Sequence, residues 1–180
     1  RRLPNVAIVW GNHDAAWLRK HLPDDGSVAL RDVTAARVCF GLWGPRARDI
    51  LQPLTRDDVS DAAFPFLTAR EITVGSVPLL ALRVTYVGEL GWELYAPTEY
   101  GRALWTTLCR AGRPHGLVAA GYRAIEALRI EKGYRVWSSD ITPDETPYEA
   151  GLGFAVALDK ETEFIGRDAL VAAKAAGPRK

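Results

Sequence analysis

Apolar and polar positions alternate most legibly between Val77 and Ala96. Val77–Tyr86 and Gly91–Ala96 read as two strands joined by Val87-Gly88-Glu89-Leu90, a hairpin loop with glycine where a positive φ is expected. On the second strand Trp92 and Leu94 point one way, and Glu93 and Tyr95 the other. Pro97 ends that strand. Thr98 is placed to cap a helix from Glu99 to about Arg110, with Tyr100, Ala103, Leu104, Thr107 and Leu108 on one stripe. Upstream, Val6–Trp10 reads as a buried strand and Asn12 as the cap of a helix reaching His21. Pro23-Asp24-Asp25-Gly26 is a turn. Val28–Val33, Val38–Trp43 and Leu67–Val74 are strand candidates, and Gly44-Pro45 opens a helix to Leu51. Downstream, a helix is expected over Tyr122–Lys132, a loop over Asp140–Pro147, a strand over Leu152–Leu158, and a last helix over Gly166–Ala176 closed by Gly177. Val38 to Arg110 taken in order reads β-α-β-β-α. The expected class is α+β, with ferredoxin-like split β-α-β units and antiparallel sheets.

Composition narrows the classes. The chain has 180 residues, 48% apolar and 25% charged, which suits a globular domain and excludes whole-chain disorder, collagen and coiled coil. Its net charge of +1, from 23 basic and 22 acidic residues, provides no field for nucleic acid or anionic membrane. The longest apolar stretches, Val77–Leu82 and Leu152–Leu158, fall far short of the ~20 residues of a membrane helix. The 2 cysteines, Cys39 and Cys109, are widely spaced and are expected as small buried hydrophobes in a reducing compartment. There is no methionine, and the chain begins on Arg1; both lead us to expect a segment of a longer polypeptide.

Several motifs lose on context. Gly11-Asn12-His13-Asp14 resembles a metal-binding motif of two-metal phosphoesterases. That chemistry needs many donors from several loops, and the other histidines, His21 and His115, sit in no matching motif. Gly151-Leu152-Gly153 lacks a third glycine and precedes a strand instead of following one. The arginines, 18 of the 23 basic residues, are scattered as on a solvated surface. Glu126, Arg129 and Glu131, on a mostly apolar helix, are candidate internal salt-bridge partners.

Glu93 stands out. A carboxylate inside a strand among Trp92, Leu94 and Tyr95 is costly to bury unless it is paired. A flat heterocycle such as a pterin offers two adjacent N–H donors that one carboxylate can accept together. The spacing alone leaves this open against a solvent-facing glutamate on an open sheet face.

Four blocks in order carry a family resemblance: Tyr86–Leu94 (Tyr-x-Gly-Glu-x-Gly-x-Glu-Leu), Leu128–Arg135, Thr146–Gly153 (Thr-Pro-x-Glu-Ala-Gly-Leu-Gly) and Asp159–Leu170. Gly41–Arg48 and Pro65–Thr68 fit as well. The chain resembles the tetrahydrofolate-binding aminomethyltransferase family, which includes the glycine cleavage T-protein and the C-terminal folate domains of dimethylglycine and sarcosine dehydrogenases or oxidases. The wording Lys132-Gly133-Tyr134-Arg135-x-Trp137 is nearer the dimethylglycine/sarcosine branch.

The resemblance implies a folate-dependent one-carbon transfer module. It would pass an aminomethyl or iminium carbon from a small amine-derived donor to tetrahydrofolate. It implies cofactor-binding roles for Glu93 at the pterin edge and for Tyr86 and Phe66 in the folate pocket. Arg123 lies two residues before the position, here Ile125, where one branch has an arginine. The family's catalytic aspartate aligns before Arg1, so no catalytic residue is assigned. Residues 1–150 would form the folate-binding segment and 151–180 the start of a C-terminal barrel. FAD would enter only through a domain preceding Arg1, and the partner would be the rest of a longer polypeptide or a flavoprotein subunit. The implied location is cytoplasmic, or the mitochondrial matrix in a eukaryote. Two alternatives remain. A non-catalytic folate-binding protein is disfavoured because its Lys-Gly-Cys motif reads Lys132-Gly133-Tyr134 here. The two-metal phosphoesterase is more distant still.

Overall fold

The computed structural model describes residues 12–177. The predicted strand Val6–Trp10 and residue Gly11 lie outside them. A helix α1 spans Asn12–Lys20. The centre of the molecule is a four-stranded antiparallel sheet in the order β1-β4-β3-β2, where β1 is Arg37–Trp43, β2 Ala69–Val74, β3 Val77–Leu82 and β4 Gly91–Pro97. Both β1 and β3 run antiparallel to β4. They therefore point the same way with β4 inserted between them, which is a split arrangement. The class is α+β, as expected.

The period-2 pattern decides which face is covered. Leu42, Trp92, Leu94, Ala96, Ala81, Leu79, Val77, Ile72 and Val74 all lie below 5% exposure on one face. Two helices close that face. In α2, Ala47–Leu51, Ala47, Ile50 and Leu51 are buried. In α3, Gly101–Gly112, Leu104 and Leu108 are buried at the i, i+4 spacing of a helix stripe. Val59 and Phe64, from the connection between α2 and β2, complete the core at 0% exposure.

Arg83 is buried against this core. Its Nη1 donates to Phe64 O at 2.9 Å and its Nη2 to Asp61 Oδ1 at 2.8 Å, while its guanidinium lies 4.9 Å from the Trp92 ring. Arg48 shares Asp61 Oδ1 at 2.6 Å. A buried cation with both a carboxylate and a carbonyl acceptor avoids most of the cost of its burial.

The remaining chain is lighter. Helix α4, Tyr122–Glu131, and helix α5, Arg167–Ala176, are joined by turns. Within α4, Arg129 is 3% exposed. It pairs with Glu126 and Asp140 and donates to Tyr134 O at 2.9 Å, so one guanidinium ties the helix to the following loop. The Glu126–Arg129 pair is the internal salt bridge expected; Glu131 is exposed instead.

Several sequence expectations are corrected. Val28–Val33 forms no strand. Asp32 Oδ1 accepts the Thr34 amide at 2.9 Å, which turns the chain before β1, and Val28 and Val33 stay exposed. The tight hairpin is between β2 and β3, at Gly75 (φ +61°). Strand β3 ends at Leu82 rather than Tyr86, because Thr85 Oγ1 accepts the amides of both Val87 and Glu89 at 3.2 Å and curls the loop on itself. Thr98 does not cap α3. Its Oγ1 donates to Ala35 O at 3.0 Å, and a 3-10 turn, Thr98–Tyr100, leads into the helix. Leu152–Leu158 is no strand. Gly153–Ala155 is a 3-10 turn, and Phe154 is 85% exposed, so the apolar run found no sheet edge to join. Cys39 is exposed and Cys109 only partly buried, so neither is a core residue.

Candidate functional site

The uncovered face of the sheet carries the second set of alternate positions. Across β1, β4 and β3 these are Cys39, Gly41 and Trp43; Gly91, Glu93 and Tyr95; and Leu80 and Leu82. The register sets Glu93 between Gly41 and Leu82, and Tyr95 between Cys39 and Leu80. Glu93 therefore stands on the open side, half-buried, while its neighbours Trp92 and Leu94 go into the core at 0% exposure.

Tyr95 donates its hydroxyl to Glu93 Oε2 at 2.7 Å. Burial first, and then this bond to the Glu93 carboxylate, hold the Tyr95 hydroxyl far above its ordinary pKa, so it remains a donor. Across the strand pair, desolvation beside Tyr95 and, more weakly, the Glu93 charge push the Cys39 thiol up to about 11. Among the described residues, no hydrogen bond reaches Glu93 Oε1.

Trp43 frames the carboxylate on one side. A Cβ at Gly41 would lie 2.4 Å from its Cη2, and one at Gly91 2.5 Å from its Cδ1. The indole thus lies down over Gly41, which offers it no side chain, and Gly91 lets the strands close at its root. Its Nε1 donates to Val84 O at 3.1 Å, which pins the ring toward the loop after β3.

That loop is the other side of the site. Gly88 takes φ +72°, as its hairpin position predicted, and a Cβ there would meet Lys132 Cγ at 2.6 Å. Lys132 Nζ lies 3.4 Å from Glu89 Oε1. Tyr86 is half-buried beside α4, and its hydroxyl is 3.5 Å from Arg135 O. Burial raises its pKa, against the opposing charge of Arg129.

The four sequence-predicted residues are therefore not equally close to one another. Glu93 faces the open side of the sheet, and Tyr86 stands in the loop that leaves it. Phe66 is 55% exposed just before β2, where Leu67 N donates to Arg83 O at 2.9 Å, so it sits at the same end of the sheet as the 83–90 loop. Arg123 is exposed on α4 and makes no hydrogen bond or ion pair among the described residues. The buried arginine of that helix is Arg129. Trp43 and Tyr95 are the members of the site that sequence reasoning left without a role. Tyr95 was visible two positions from Glu93 on the same face; Trp43 is betrayed only by the glycine at position 41, where its ring lies flat.

No group of three or more His, Cys, Asp and Glu residues able to hold a metal occurs among the described residues. His21 stacks on Trp17 with ring centroids 4.1 Å apart, and His115 lies 3.1 Å from Arg46 Nη2. No described helix is long and apolar enough to cross a membrane.

The chain is similar in sequence to several known proteins. The chain is 40% identical over 166 residues to mitochondrial dimethylglycine dehydrogenase of Homo sapiens, covering 92% of this chain and 19% of that protein. It is 46% identical over 141 residues to mitochondrial sarcosine dehydrogenase of Mus musculus, covering 78% of this chain and 15% of that protein. An aminomethyltransferase of Shouchella clausii is 37% identical over 165 residues, covering 92% of this chain and 44% of that enzyme. The chain thus spans about a fifth of the dehydrogenases it matches, and less than half of the transferase. Residues 6–160 match the GCVT N-terminal domain. With that match over most of its length, the chain belongs to the GCVT N-terminal domain family, the aminomethyltransferase family that its sequence resembles.

Proposed function

We propose that this chain holds tetrahydrofolate for one-carbon transfer, with Glu93 accepting hydrogen bonds from the pterin edge. The observation that carries this reading is the state of that carboxylate. It stands on an open sheet face with Oε2 bonded by Tyr95 and Oε1 without a protein donor among the described residues. An acceptor left in this way fits a ligand that brings its own N–H groups. The ligand supplies N5, which receives an aminomethyl or iminium carbon and becomes part of 5,10-methylenetetrahydrofolate. The residues of this chain bind and orient. Glu93 fixes the ring edge and Tyr95 holds the carboxylate rotamer. Tyr86 and Phe66 line the approach at one end of the sheet. Arg123, exposed on α4, has the weakest case for a folate contact.

Fixing the acceptor against a donor carbon lowers the entropic part of the barrier. The carbon comes from a small amine-derived donor, and the residues named here have no acid–base role. Residues 1–150 form the folate-holding part and 151–180 open a second region. The mitochondrial relatives favour a matrix location in a eukaryote, and the cytoplasm otherwise.

Titration calorimetry of tetrahydrofolate against the chain and its Glu93→Ala variant tests the reading. A charge-assisted acceptor contributes about 1.5–3 kcal/mol, so the variant is expected to bind roughly 10- to 100-fold more weakly. Equal binding by both proteins removes Glu93 from the site, and no binding by the parent chain removes the folate reading.

A further inference from the structure

We infer that the outer face of the Trp43 indole is a platform on which a flat heterocycle lies, with its edge turned to Glu93. The inference rests on the folate reading above and adds to it a stacking residue that determines ring specificity.

A Cβ at Gly41 would fall 2.4, 2.5 and 2.8 Å from Cη2, Cζ3 and Cζ2 of Trp43, so the benzo ring lies directly over Gly41. A Cβ at Gly91 would fall 2.1 Å from Leu42 O, 2.5 Å from Cδ1 and 2.8 Å from Cα of Trp43, so Gly91 lets β4 approach the root of the indole closely. The indole is therefore roughly parallel to the sheet, with one face spent on backbone. The hydrogen bond from Nε1 to Val84 O at 3.1 Å prevents it from standing up. No aromatic ring or cation is stacked on its other face among the described residues.

Glu93 completes the arrangement. It pairs directly with Gly41, the residue beneath the benzo ring. Paired Cα atoms lie ~4.5–5.5 Å apart, so the carboxylate rises from the sheet beside the edge of the indole rather than above it. A planar ligand stacked on Trp43 then presents its rim, not its face, to Glu93 Oε1. Hydrogen bonds to a carboxylate from ring N–H groups require this in-plane approach. The site thus selects a flat ring that carries N–H donors on one edge. A non-planar amine of equal charge would meet Glu93 but leave the indole face bare.

The test compares the full chain with Trp43→Leu, Trp43→Phe and Glu93→Gln. The probes are tetrahydrofolate and 4-aminobenzoylglutamate, which is the tail without the bicyclic ring. Calorimetry measures affinity, and tryptophan fluorescence at saturation reports stacking. The Leu variant is expected to bind tetrahydrofolate on the order of tenfold more weakly, and the Phe variant within about threefold of the parent. Binding of the tail alone should not change. The Phe variant, still binding, should lose most of the fluorescence quench. That second readout stands even if the Leu variant fails to fold. Parent-like affinity in the Leu variant, or an undiminished quench in the Phe variant, alongside weakened binding by Glu93→Gln, overturns the platform and leaves the folate reading intact. Undiminished binding by Glu93→Gln overturns the edge contact on which the platform depends, and no binding by the parent chain overturns both readings.

Discussion

Replacing Gly41 with alanine puts a methyl group where the Trp43 ring lies. The nearest contact would be 2.4 Å, to Cη2, and real Cβ atoms do not tolerate that. The ring must lift. Its covered face is about a third of the 150–250 Å² that an aromatic side chain can bury, roughly 70 Å², which at ~25 cal/mol per Å² amounts to about 2 kcal/mol. Lifting also breaks the Nε1 bond to Val84 O, which contributes about 1 kcal/mol. Against this, alanine is favoured over glycine inside a strand by roughly 0.5–1 kcal/mol. The balance is a loss of about 2 kcal/mol. Urea denaturation followed by circular dichroism reads the loss directly, and a fall in Tm of about 4–8 °C should accompany it. Gly91→Ala is the internal control. Its Cβ would lie 2.1 Å from Leu42 O, which is backbone and cannot rotate away, so this variant must be the less stable of the two. A Gly41→Ala protein as stable as the parent, with an unchanged near-ultraviolet spectrum, would refute the flat indole and everything built on it.

Two further predictions follow from charge. Asp61 is held below the ordinary carboxylate value of 3.8, first by its bond from Arg83 and then by that from Arg48. Asp140 is lowered first by the Val136 amide and then by the Arg129 charge. Folded-state values below the unfolded ones mean stability that is present above pH 3.8 and lost as pH falls through the depressed values. Urea midpoints should therefore be flat from neutral pH to about 5 and fall below 3.8, with a shallower fall in Asp61→Asn; the same slope in both proteins would rule out Asp61 as a source. The second prediction concerns Cys39, whose thiol is pushed up to about 11. Iodoacetamide labelling at pH 8, followed by mass spectrometry, should be slower at Cys39 than at a free thiol in the unfolded chain, despite its exposure. Glu93→Gln should speed it, and no change would place the Glu93 charge too far away to act.

How much of this was visible beforehand depends on where a residue's partners lie. The period of two placed Trp92 and Leu94 inside and Glu93 outside because β4 is covered on one face only, and local alternation records that directly. The antiparallel pairing of β3 with β4 follows the sequence pattern, but β3 stops at Leu82 instead of Tyr86 because the Thr85 hydroxyl gathers two amides that a continuing strand would have used, and hydroxyl capture leaves no trace in hydropathy. Val28–Val33 and Leu152–Leu158 have the composition of strands, but a strand needs an edge to pair with, and pairing is not a local property. The role of Trp43, and the second partner of Arg129 beyond the expected Glu126, were illegible for the same reason. One depends on a glycine two positions back on its own strand, the other on an aspartate eleven positions away in a loop. Tyr86 and Phe66 could be named only by resemblance, since neither has a pattern of its own.

The order of strands also bears on how the molecule comes together and where it first opens. Strands β2 and β3 meet at Val74 and Val77, almost adjacent in the chain, and β4 follows after one loop. Strand β1 pairs with β4 across the long segment containing α2, with Phe40 opposite Leu94, 54 positions later. Closing so long a loop is entropically slow, so β1 should dock last and detach first, and its amides should exchange with deuterium sooner than those of β3. Trp43 and Gly41 belong to that late strand, while Glu93 belongs to its neighbour. A molecule bound to both bridges the weakest seam of the sheet and should slow exchange along β1 more than anywhere else.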